Sequence, residues 1–152
     1  PHRILMALLG GGVGGAGNPV GGSFTGPAEA LEIIGDHCYA YSGGQGSTES
    51  EKTYLNFTSG NFYTVAEFTF NGGVEFASPT VGVTSAWKLS MNGVVIGVYK
   101  TDTIEEDQPP SVVVPIIIPP YTEIKVTAYT NDNNADKLNS CSIVGRIYRT
   151  RD

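Results

Sequence analysis

The sequence predicts an all-β protein, an antiparallel β-sandwich of about eight strands, and three observations predict it. Apolar and polar residues alternate with period two in short runs, as in strands that face a core on one side and water on the other. Turn pairs separate those runs: Ser59-Gly60, Asn71-Gly72-Gly73, Asn92-Gly93 and Pro119-Pro120. Only 16% of the 152 residues are charged, while 20 are glycine and 9 are proline. That composition suits sheets and corners, not a helical bundle.

The elements follow in order. Residues 1–26 form a flexible glycine-rich arm, because nearly every other residue from 10 to 26 is glycine and such a segment cannot pack on itself. Its apolar tip is Ile4, Leu5, Met6, Leu8 and Leu9. An exposed apolar tip needs cover, either from its own domain or, as favoured here, from a neighbouring subunit or partner. Residues 27–152 form the β domain. "PAEALEII" (27–34) reads as one or two helical turns, with Pro27 at the first position and Gly35 as the stop, in competition with an extended reading.

Strands are then expected in "CYAYS", "TYLNFT" and "NFYTVAEFTF", the last placing Phe62, Ala66, Phe68 and Phe70 on one face. "VTSAWKLSM" puts Val83, Trp87, Leu89 and Met91 inward. Asn92-Gly93 makes a type I′ hairpin into "VVIGVYKT". "SVVVPIIIPPYTEIKVTAYT" carries proline inside the most hydrophobic run of the chain. Proline removes a ladder hydrogen bond, so the stretch must be a strand broken at Pro115, a corner at Pro119-Pro120 where Tyr121 packs, and a second strand. That second strand buries Ile124, Val126 and Ala128 and exposes Glu123, Lys125 and Thr127. The closing strand "SCSIVGRIYRT" turns Cys141, Ile143 and Ile147 inward.

Bulk numbers and motifs exclude several function classes. A formal charge of −6 argues against a general nucleic-acid binder; Arg146, Arg149 and Arg151 read as a solvated edge. No run approaches the length of a membrane span. Residues 4–9 are too short for a signal-peptide core, so cytoplasmic synthesis without such a peptide is expected. Cys38 and Cys141 read as buried free thiols, with a disulfide as the alternative.

The run Gly12 to Gly17 matches G-x-G-x-x-G, but "NPVGGSFTGP" cannot be the helix a dinucleotide site needs. In Asp36-His37-Cys38, adjacent strand residues point to opposite faces and cannot form a dyad. Asp132, Asn134 and Asp136 stand at the first, third and fifth positions of a calcium loop. The glycine and the acidic residue expected further on are Lys137 and Ile143. An Asn/Asp turn is the main reading, and a shallow calcium site stays open. Glu105, Glu106 and Asp107 read as a solvent-facing loop, and Asn56-Phe57-Thr58 is a sequon by pattern only. No catalytic residue, cofactor or resident metal is expected.

The glycine-rich arm, "NFYTVAEFTFNGG", "WKLSMNGVVIGVYKT" and "VVVPIIIPPYTEIKVTAY", in that order, resemble the jelly-roll proteins of virus particles. The likeness is greatest to the decoration, cement or spike proteins of DNA phages, and it covers about residues 38–149. It implies a jelly-roll sandwich, a homotrimer, and an arm that ties subunits to the major capsid protein or another virion protein on the outer surface of a shell. It implies no nucleic-acid or membrane partner. The alternative is a carbohydrate- or receptor-binding jelly-roll module on a fibre or spike, with Tyr99, Tyr121 or Tyr129 as ligand or interface aromatics. A signalling trimer of tumour-necrosis-factor type shares the sandwich but needs an export route.

Overall fold

A computed structural model describes residues 26–102 and 111–149. Ten strands are found among them: β1 (Glu32–Ile34), β2 (His37–Tyr41), β3 (Gln45–Ser47), β4 (Lys52–Thr58), β5 (Phe62–Glu75), β6 (Thr84–Met91), β7 (Val94–Asp102), β8 (Ser111–Ile118), β9 (Glu123–Thr130) and β10 (Asn134–Arg149). The larger sheet runs β1-β2-β10-β5-β8, with β3 also on β10; the smaller runs β4-β9-β6-β7. Every strand pairing is antiparallel. With β1 and β3 set aside, the orders 2-10-5-8 and 4-9-6-7 are those of two interleaved Greek keys, the jelly roll.

The sheets meet over an aromatic core. Trp87 of the smaller sheet stacks on Phe70 of the larger, with ring centroids 5.2 Å apart, and the Tyr54 ring lies 4.8 Å from that of Trp87. Phe68, Leu55, Leu89, Ile118, Ile124, Val126 and Ile143 complete it, all fully buried. The predicted inward sets on β5, β6, β9 and β10 hold, with Met91 half-buried at the rim.

Several local expectations are corrected. Residues 27–34 are extended, not helical: Ala28 bridges to Leu55, its N–H donating to the Tyr54 carbonyl at 3.0 Å, and β1 follows. The fully buried Ala28 makes this segment a strap across the core edge. Asn71-Gly72-Gly73 is not a turn but part of β5. A Cβ on Gly73 would stand 2.6 Å from Ser47 Oγ and 2.9 Å from Asn139 Oδ1, so the glycine marks close approach inside a strand. Pro115 does not break β8, which pairs with β5 along its length, Glu67 opposite Pro115. As the edge strand, β8 can leave an N–H out without loss.

The corner is where Pro119-Pro120 was expected, but Tyr121 does not pack there. It has φ +52° and is 66% exposed. Backbone atoms latch the corner instead: Tyr121 N–H donates to the Gly60 carbonyl at 3.0 Å, and Thr122 N–H to Ser59 Oγ at 2.8 Å. Thr127 is buried, not exposed, because Glu51 folds over it. Arg146 and Arg149 lie on β10, a central strand and not an edge.

Candidate functional site

A sheet in a sandwich has a second face, and on the larger sheet that face carries many exposed apolar residues. In β8, Val112, Val114, Ile116 and Ile118 turn toward the core, which leaves Val113 and Ile117 outward, 52% and 62% exposed. Pairing lays outward residues in rows across the strands. Ile34, His37, Arg146, Val65 and Ile117 form one row. Glu32, Tyr39, Val144, Glu67 and Pro115 form the next, Tyr41, Ser142, Thr69 and Val113 a third. Tyr63 and Tyr148 pair beyond Val65. Isolated exposed apolar residues are ordinary, but this many valine, isoleucine and tyrosine side chains on one sheet face make it a candidate interaction surface.

Polar groups are interleaved with the apolar ones on this face: His37, Arg146, Glu32, Glu67, Ser142 and Thr69. Arg146 lies 3.7 Å from Asp36 with both side chains more than half exposed, a pair of little energetic consequence. Glu67 sits one row from Arg146 on the neighbouring strand. At the flank, Glu32 has a carboxyl raised by burial and an oxygen, Oε1, with no hydrogen-bond partner.

The residues singled out in the sequence do not assemble into one site. Tyr99 stacks its ring on Phe70 at 5.4 Å and packs, partly buried, against the core. Tyr121 and Tyr129 are exposed but stand at opposite ends of β9. Ile4, Leu5, Met6, Leu8 and Leu9, with the G-x-G-x-x-G run, Glu105, Glu106, Asp107 and Arg151, lie outside the described residues.

Cys38 and Cys141 are free and buried, as preferred over a disulfide. Cys38 is level with Gly145 on β10, four residues from Cys141, about 13 Å along a strand and beyond disulfide reach. Burial pushes both thiols up, Cys141 well above the usual range, which disfavours the nucleophilic thiolate.

The Asp132 segment is the turn that was the main reading. Asp136 N–H donates to Asn134 Oδ1 at 2.8 Å, and Lys137 Nζ lies 3.1 Å from Asp132 Oδ2. No cluster of three or more His, Cys, Asp or Glu suited to a metal ion occurs among the described residues.

Sequence reasoning missed the outer apolar face, although the signal was present. A strand buried on one side alternates; a strand covered on both sides reads as a continuous apolar run. "SVVVPIII" is such a run, and its second parity, Val113 and Ile117, is what the sandwich leaves uncovered.

No protein-family model matches the chain, and no curated protein does either. Among solved structures, the chain is similar to dimeric latent PorU from Porphyromonas gingivalis at 13% identity and TM-score 0.31, over 86% of this chain and 15% of that one. It is also similar to the N-terminal cellulose-binding domain of β-1,4-glucanase C from Cellulomonas fimi at 11% identity and TM-score 0.26, over 80% and 84% of the two chains. Likenesses this distant carry no argument about activity or partners, and the all-β sandwich rests on this chain's own strands.

Proposed function

We propose that this chain is a non-enzymatic structural protein of a virion. In this reading it self-associates as a homotrimer through the outer face of its larger sheet and sits on the outer surface of a viral shell as a decoration or cement protein. The observation that supports it best is the apolar outer face of Val65, Val113, Ile117, Val144, Tyr63 and Tyr148. Covering that face with identical copies removes it from water and gives the double-sided burial that "SVVVPIII" is patterned for. Closed symmetry limits the assembly, and Glu67 and Arg146, one row apart, offer opposite charges to a neighbouring copy. Three copies, the shell and its major capsid protein come from the resemblance to virion jelly rolls. The acidic balance suits the outside of a shell better than its genome side.

The test is the solution mass by light scattering of the full chain, of the chain from Pro27, and of Val144→Lys. Val144 is half exposed, so lysine is accommodated in an isolated subunit and repelled inside an apolar interface. A trimer in the first two and a monomer in the third is the expected result. A monomeric full chain at tens of micromolar, or a Val144→Lys trimer, would overturn the assembly face. Co-sedimentation with shells of the parent virus tests the second half: removing residues 1–26 should leave the domain folded and abolish pelleting with shells. Normal occupancy by the truncated chain would overturn shell attachment through the arm.

A further inference from the structure

The smaller sheet carries a different surface on its outer face. The outward residues of β6 are Thr84, Ala86, Lys88 and Ser90, flanked by β9 and β7; Ala86 and Ser90 are short, and Lys88 rises between them to reach Glu51. Register sets three cross-rows: Tyr129–Ala86–Lys100, Thr127–Lys88–Val98 and Lys125–Ser90–Val95. Adjoining hollows share Ala86, Val98 and Tyr129 toward one end, and Glu51, Lys88 and Thr127 toward the other. Together they make one groove along β6, about 20 Å from Thr84 to Ser90. Its middle is a hollow of about 190 Å³.

Three features define what the groove can hold. The ring of Tyr129, 54% exposed, rises beside Ala86, an apolar platform with a polar tip next to a floor residue too small to fill the space. Beyond it Glu51 accepts from Thr127 Oγ1 at 2.6 Å and lies 3.0 Å from Lys88 Nζ. A carboxylate has about four acceptor positions and an ammonium three donors, so both keep capacity for a ligand. Glu51 and Glu123 line the groove against Lys88, Lys100 and Lys125, and Asp102 lies 3.8 Å from Lys100, which leaves the charges near balance. A polyanion therefore gains little here.

An extended peptide also fits poorly. β6 is hydrogen-bonded to β9 on one side and β7 on the other, so the floor offers no free backbone ladder, and strand addition needs one. What the groove offers is an aromatic face plus side-chain donors and acceptors spaced along a line.

We propose that this groove is a binding site for a linear, neutral oligosaccharide. One sugar ring lies over Ala86 against Tyr129, and the next places its hydroxyls on Glu51 and Lys88. The site lies on the opposite side of the sandwich from the proposed assembly face and does not depend on it. In an assembly closed through the larger sheet, the groove would face outward.

The experiment uses the full chain on an array of neutral glucan, mannan, xylan, galactan and chitin oligomers. The best binder is then titrated into ¹⁵N-labelled protein. Amide shifts confined to β6, β7, β9 and the segment around Glu51 are expected. Tyr129→Ala and Glu51→Gln should each weaken binding tenfold or more, and Tyr129→Phe should retain it. Thermal unfolding of each variant separates lost binding from lost fold. No binding to any neutral oligomer overturns the proposal. So does binding only to an acidic glycan or an extended peptide, or an unchanged affinity in folded Tyr129→Ala.

Discussion

Trp87 Nε1 donates a 3.0 Å hydrogen bond to Thr101 Oγ1 on the buried side of the β6–β7 pair. The indole is fully buried in contact with the rings of Tyr54 and Phe70, and Thr101 is 2% exposed, so water cannot substitute for this acceptor. Thr101→Val keeps the shape and removes the oxygen. The stranded indole N–H should cost about 1–3 kcal/mol. Urea unfolding followed by the fluorescence of this single tryptophan reads it directly. Thr101→Ser should keep most of the stability, and an unchanged midpoint in Thr101→Val would show that the bond contributes nothing net.

Two glycines separate steric from backbone cost. A Cβ on Gly145 would stand 2.3 Å from the Val65 carbonyl oxygen and 2.4 Å from Ala66 Cβ. At Gly93, φ is +80° and nothing lies within 4 Å of the added atom. Gly145→Ala must therefore push β10 off β5, with a loss of about 3 kcal/mol or more, the upper end of overpacking. Gly93→Ala pays only for the left-handed backbone of the hairpin, about 1 kcal/mol. Paired denaturation curves check the order; a Gly93→Ala loss equal to or larger than that of Gly145→Ala would contradict this packing.

The glycines also show how far the sequence could be read. Asn92-Gly93 was legible because a two-residue hairpin demands positive φ, and both residues have it, at +50° and +80°. Asn71-Gly72-Gly73 carries similar residues and is strand, because Gly73 is set by Ser47 and Asn139, distant in sequence. Pro115 misled in the same way: proline forbids a central strand, but only the sheet order reveals that β8 is an edge. Inward-facing sets on β5, β6, β9 and β10 were readable from alternation alone. Tyr99 was not, since its parity on β7 is fixed by a register shift between Leu89 and Ser90. The two candidate surfaces were harder still. One depends on which parity of "SVVVPIII" the core takes. The groove depends on Glu51 crossing to Thr127, a pair 76 residues apart.

That pair makes an acid-side prediction. The hydrogen bond from Thr127, and then that from Lys88, hold the Glu51 carboxyl below the usual glutamate range. A carboxyl lowered in the folded state binds its proton more weakly there than in the unfolded chain. Its contribution to stability is therefore complete above the ordinary glutamate value and is lost as pH falls through the lowered one. Thr127→Val removes the largest cause, so the Glu51 titration should move up toward the ordinary range and the acid-side loss of stability should shrink. Carboxyl ¹³C shifts of Glu51 followed from neutral pH into acid, in wild type and Thr127→Val, measure the first. Urea midpoints across the same range measure the second. Lys88→Met should raise the same titration as well, because it removes both the lysine hydrogen bond and the lysine charge. A Glu51 that titrates at the ordinary value in the unsubstituted protein would mean that the carboxylate is not held over Thr127 in solution, and that the groove lacks its polar wall.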